Sequence, residues 1–161
     1  VIKTNRCLLS KLQEDDYEDV KLLYVDESVR KYLGGTLKEE SIQVRFNEMN
    51  LSSKDSAYFV VRENDTNRFI GLISLDTHYD GVSTEVSYQL LPKWWGEGYA
   101  TEIVKEFIYY AFHKLNLTEI VAETQLANKA SCRLLEKLGM KLQETVLRFG
   151  EEQAIYCIKN L

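Results

Sequence analysis

Over residues 83–124 the spacing of apolar residues changes from every second position to every third or fourth and back, with two glycines at the first change. In "STEVSYQLLP" (83–92), Val86, Tyr88 and Leu90 alternate with Glu85, Ser87 and Gln89, the period of a strand that buries one face. From Ala100, residues Ile103, Val104, Phe107, Ile108, Ala111, Phe112 and Leu115 follow at three- and four-residue steps, which predicts a strongly amphipathic helix. "EIVAET" (119–124) then reads as a buried strand. Strand, helix and strand in this order make a βαβ unit, whose strands lie parallel with a right-handed crossover. A ligand of such a unit sits beyond the carboxyl ends of the strands, where "WWGEGYAT" (94–101) falls.

Gly96 and Gly98 stand one residue apart in a chain of only 8 glycines. Glycine permits positive φ and close approach of main chain to a ligand, and the first turn of a helix presents unpaired N–H groups at the positive end of its dipole. Together they predict an anion site, most simply for a phosphate or diphosphate. A tight strand-to-helix connection with no ligand fits the same spacing. The loop is not GxGxxG, because Thr101 holds the third glycine position, and it lacks the GK followed by Ser or Thr of a Walker loop.

The remaining segments place this unit in a larger sheet. "RCLLSKL" (6–12) predicts a first strand, the acidic run at 14–19 opens a helix to about Tyr24, and a second helix covers about 37–50 after Gly34-Gly35. "SAYFVVRE" and "RFIGLISLDT" around "NDTN" predict a hairpin. "NKASCRLLEKLG" predicts a helix capped by Asn128 and ended by Gly139, and the tail a hairpin turning near Phe149-Gly150. The fold class is α/β (α+β): a mixed, mostly antiparallel central sheet of about seven strands with helices on both faces.

With 161 residues, 45 % of them hydrophobic, and neither repeat nor linker, a single domain over 1–161 is expected. Val1 in place of Met points to an unseen initiator or short leader. The net charge of −5, with both signs interspersed, argues against a nucleic-acid partner, whose phosphates require a basic stripe. No apolar run approaches a membrane span and no signal peptide opens the chain. Cys7, Cys132 and Cys157 lack zinc-ligand spacing, so no metal is expected and the thiols fit a cytoplasmic protein. Cys7 and Cys157 read as core residues in strands, Cys132 as a packed small residue, and His78 and His113 as surface groups.

"EVSYQLLPKWWGEGYATE" and "NKASCRLLEKLGM" together resemble the GNAT acyltransferase superfamily, in particular its branch of ribosomal-protein-alanine N-acetyltransferases. The resemblance covers nearly the whole chain. It implies that strands four and five are parallel and splayed, with acetyl-CoA as co-substrate. The family's Q/R-x-x-G-x-G/A loop falls on Trp95, Gly96, Glu97, Gly98, Tyr99 and Ala100, Trp95 departing from the first position. Main-chain N–H groups there would hold the diphosphate of coenzyme A, with the Thr101 hydroxyl beside them. Gln89, Leu90 and Leu91, on a bulged strand, would pair with the pantetheine arm, and the amide of Gln89 or Leu90 would face the thioester carbonyl. Asn128 would bind the pantetheine amides and Ser131 face the sulfur; as a helix cap and a first-turn residue they need no such role.

Acetylating an amine requires removing its proton. Glu85 matches the family's glutamate for water-mediated proton removal, and partial burial would raise its pKa to a useful range; an exposed strand end is the other reading. Where relatives place a tyrosine to protonate the thiolate, this chain has Leu135, leaving Ser131 or unaided departure. The expected activity is direct transfer of acetyl to a primary amine, a protein N-terminus or a small molecule. A non-catalytic acyl-CoA-binding sensor and a nucleotide-phosphate enzyme are the rivals. Edge strands and the last hairpin are compatible with a homodimer.

Overall fold

The computed structural model describes residues 1–51 and 56–160. In chain order the elements are β1 (Ile2–Lys3), β2 (Cys7–Lys11), a 3-10 turn (Glu14–Asp16), α1 (Tyr17–Tyr24), α2 (Glu27–Arg30), α3 (Glu39–Asn50), β3 (Ala57–Glu63), β4 (Phe69–Thr77), β5 (Thr84–Leu90), a second 3-10 turn (Pro92–Trp94), α4 (Tyr99–His113), β6 (Glu119–Gln125), α5 (Lys129–Lys137), β7 (Lys141–Arg148) and β8 (Glu151–Lys159). The strands form one sheet in the order β1-β2-β3-β4-β5-β6-β8-β7. Of the neighbouring pairs only β5 and β6 run parallel.

Two elements escape the sequence pattern because they are too short to carry a period. β1 has two residues and supplies the eighth strand beyond the seven expected. α2 is a single turn, started by Asp26, whose carboxylate accepts the Val29 N–H at 3.0 Å.

Alternation along the strands splits the interior into layers. On β3, Phe59 and Val61 join the core beneath α4 and α5, together with Phe107, Ile103 and Leu135. Val60, between them, joins the opposite core with Val20, Leu23, Ile42 and Phe46 of α1 and α3. The middle of the sheet is thus covered on both faces, as its near-continuous apolar strands require. The three cysteines are free and buried.

The parallel pair comes apart almost at once. β5 and β6 share only the pairing of Glu85 with Val121, so the rest of β5 diverges from β6. On its other side β5 stays in register with β4 from Thr77↔Thr84 to Gly71↔Leu90 without a shift. The bulge implied by the family resemblance is therefore not an inserted residue in this pairing. The distortion takes the form of close approach: a Cβ at Gly71 would lie 2.1 Å from the Gln89 carbonyl oxygen, which is why only glycine fits there.

Candidate active site

The loop after β5 is built to leave main-chain donors open. Pro92–Trp94 make one 3-10 turn, Trp95 is extended, and Gly96 and Gly98 adopt positive φ of 77° and 81°. Gly98 is the N-cap of α4, and no side chain caps the helix. The first helical main-chain bond runs from the Glu102 N–H to the Gly98 carbonyl at 3.1 Å, so the N–H groups of Tyr99, Ala100 and Thr101 have no carbonyl of the preceding turn to reach.

The flanking side chains hold the loop. Tyr99 is buried, stacks edge-on against Trp94 and donates its hydroxyl to Glu63 at 3.1 Å. The Arg6 guanidinium lies 3.8 Å from the Tyr99 ring centroid and is itself fixed by Glu102 at 2.8 Å. Trp95 remains half exposed, but its indole N–H reaches back to the Leu90 carbonyl at 2.8 Å. Glu97 is exposed. The donors, the positive helix end and the splay beside them fit a diphosphate joined to an extended chain. The end of β5 is less open than expected: the Leu91 N–H is taken by the Ile70 carbonyl at 2.9 Å, and Leu90 already accepts from Trp95. Of the three expected pantetheine partners, Leu91 therefore has no free N–H to offer.

A cavity of about 470 Å³ opens over β4 and β5, lined among others by Tyr24, Arg45, Glu48, Tyr58, Asp76, Glu85, Tyr88 and Gln89. A larger hollow of about 820 Å³ has no carboxylate among the described residues that line it. Glu85 stands directly across from Asp76 in the β4–β5 register, which sets two carboxylates side by side. Burial pushes the Glu85 carboxyl up to about 7; Glu123 and Asp76 push the same way, while His78 and the Glu123 main-chain N–H oppose them. Asp76 accepts from the Tyr58 hydroxyl. The Gln89 side-chain oxygen is buried and has no hydrogen-bond partner among the described residues.

The opposite face of β5 carries a second pair. The Tyr88 hydroxyl and Ser131 Oγ are 2.8 Å apart, joining β5 to the first turn of α5. Asn128 does cap that helix, its side-chain oxygen accepting the Ser131 N–H at 3.3 Å. One turn beyond Ser131, Leu135 is buried in the main core. Cys132 is also buried, packed as a small residue as its sequence context suggested.

Spacing singled out the glycine loop and the family resemblance Glu85, Ser131 and Asn128, and the fold gathers all of them around β5. His78 corrects the surface assignment made from its loop position. It is 4 % exposed, and its Nε2 lies 2.7 Å from Glu123, which also accepts from Arg148 at 3.0 Å. Tyr58 and Asp76 were not singled out either. Period-two alternation puts both on ordinary strands, and only the register between β3, β4 and β5 brings them to Glu85.

A family model described as an acetyltransferase (GNAT) domain matches residues 6–141. The chain is 27 % identical over 154 residues to the uncharacterized N-acetyltransferase YoaA of Bacillus subtilis, covering 92 % of this chain and 86 % of that one. A GNAT-family acetyltransferase from Bacillus anthracis superposes with a TM-score of 0.85 at 27 % identity, over 98 % of this chain and 97 % of the other. Spermidine N-acetyltransferase from Vibrio cholerae, solved with CoA and spermine, has the same fold at a TM-score of 0.83 and 20 % identity, over 95 % of each chain.

Proposed function

From the premise that this chain belongs to the GNAT acetyltransferase family, we propose that it transfers the acetyl group of acetyl-CoA directly to a primary amine seated beside Glu85. The observation that carries this reading is a buried carboxyl raised to about 7 on β5, the strand that splays from β6, in a cavity over β4 and β5. Acetyl-CoA supplies an activated acetyl group as a thioester. The N–H groups of Tyr99, Ala100 and Thr101 would hold its diphosphate, and Asn128 with the β5 edge its pantetheine arm.

Glu85 has the protonation equilibrium this chemistry needs. A small amine with a pKa of about 10, or an α-amine of about 8, arrives protonated and must lose a proton before it can attack. A carboxyl balanced near 7 is ionised often enough to accept that proton and basic enough to take it. Glu48, Asp76 and Glu85 against Arg45 give the cavity an acidic balance, and the Gln89 oxygen adds an acceptor without a partner among the described residues. Such a lining suits a cationic amine, so a polyamine-like molecule is the acceptor favoured over a protein N-terminus.

The test is in two stages. Acetyl-CoA at about a hundred times its Kd stabilises the fold by about 2.7 kcal/mol in a thermal shift. Thiol release is then followed with polyamines and with peptides beginning in alanine or serine. Turnover of polyamines supports the reading; turnover of alanine peptides alone places the chain with the ribosomal-protein enzymes. Cofactor binding with no turnover of any amine, and no effect of Glu85→Gln, makes it an acyl-CoA sensor.

A further inference from the structure

Glu85 accounts for the proton that leaves the amine, but the departing sulfur also needs one, and Glu85 is on the face of β5 opposite Ser131, the residue that the family resemblance sets beside the sulfur. Glu85, Ser87 and Gln89 share one side of the strand; Val86, Tyr88 and Leu90 share the other, packed toward α4 and α5. On that second side Ser131, Cys132 and Leu135 stand on α5, the last two buried in the core, and the nearby Tyr156 hydroxyl is already committed to Glu136 at 2.6 Å. Ser131 alone is a poor acid, because giving up its proton leaves an alkoxide, a far stronger base than a thiolate.

Resting on the acetyl-transfer reading above, we infer that Tyr88 is the proton source for the leaving thiolate, acting through Ser131, with which its hydroxyl shares a 2.8 Å hydrogen bond. The pair holds two hydroxyl hydrogens and spends one on its mutual bond, so one remains to donate outward. As the amine nitrogen bonds to the acyl carbon, the carbon–sulfur bond breaks and its electron pair goes to sulfur. The Ser131 proton follows to sulfur, the Tyr88 proton refills Ser131, and the phenolate recovers a proton from water as the thiol leaves. The charge left on the protein rests on a phenol oxygen, which bears it much better than serine does. Tyr88 also borders the cavity that Glu85 lines, so one short strand carries the proton acceptor and the proton source three residues apart on opposite faces.

Two substitutions at position 88 and one measurement without turnover test this. Tyr88→Phe removes one hydroxyl and keeps the ring; kcat is expected to fall about 10- to 100-fold with the KM for acetyl-CoA unchanged. Ser131→Ala is expected to fall similarly, and the double variant no further than the worse single one, as for groups that act as a unit. Trifluorotyrosine at position 88 preserves shape but lowers the phenol pKa, so the alkaline limb of the pH–kcat profile moves to lower pH; a purely structural tyrosine leaves the profile unmoved. The fluorine resonance of that protein is then followed as CoA or desulfo-CoA is added, and a shift specific to the thiol is expected. Equal responses to the two ligands, kcat of Tyr88→Phe within twofold of the parent, or an unmoved pH profile each overturn the inference. Failure of the parent protein to turn over any amine overturns the acetyl-transfer reading instead, and the thiol-specific fluorine shift then decides the Tyr88–Ser131 pair by itself.

Discussion

The glycine loop over residues 92–101 and the cavity around Glu85 border the same strand, yet they are made from different material. The loop works with main chain: two positive-φ glycines and three first-turn N–H groups, with side chains such as Tyr99 and Trp95 turned to bracing it. The cavity works with side chains: Glu85, Asp76, Tyr58, Glu48 and Gln89, drawn from α3 and three strands. A cofactor whose charged linkage never changes suits a scaffold of backbone donors. An acceptor that must be recognised and deprotonated needs groups whose charge depends on their surroundings.

If this division is right, the two regions fail differently when changed. The largest effect is expected for Glu85→Gln, which lowers kcat about 100-fold or more while steady-state kinetics give an unaltered KM for acetyl-CoA. A matching loss of cofactor affinity would mean that the two regions are not separable.

Stability comes next. The Glu85 carboxyl titrates higher in the folded chain than in the unfolded one, so between about 4.5 and about 7 the folded state holds the extra proton and stability falls as pH rises. Above 7 the cost is complete. Glu85→Gln therefore stabilises the protein at pH 8, by about 2 kcal/mol after allowing for the solvent that reaches the carboxyl, and much less at pH 5. Denaturant unfolding at the two pH values measures this, while kcat/KM of the parent rises with pH through about 7.

A smaller effect, confined to the other region, is expected from Gly98→Ala. An alanine at φ 81° costs about 1–2 kcal/mol in the left-handed region, so the loop shifts and acetyl-CoA binds about 10-fold more weakly by calorimetry, with kcat at saturation retained. The smallest is Glu97→Ala. This exposed side chain lies between the two glycines, and if only main chain binds there, cofactor affinity stays within about twofold.

What could be read before folding was local. The change of period across Pro92–Gly98 announced β5, α4 and β6, and Asn128 and Gly139 bounded α5 within a residue or two, because caps and periods are written in neighbouring residues. The splay was expected only through the family resemblance, and its extent, a single Glu85–Val121 pairing, belongs to the sheet. His78 shows the limit most clearly. Nothing near "THYD" indicates burial, since its partner Glu123 lies 45 residues away on β6. Tyr88 looked like strand packing until α5 brought Ser131 to its hydroxyl across 43 residues.

By itself the sequence determined where the chain turns, where helix donors are left bare and which carboxylate stands on β5, since each follows from dihedral preference and spacing along a few residues. The tertiary structure alone decided that this carboxyl titrates near neutrality and that a phenol backs the serine. Desolvation, like-charge repulsion and hydrogen bonding depend on which atoms are near in space, and a linear order of residues does not contain that information until the sheet has set its register.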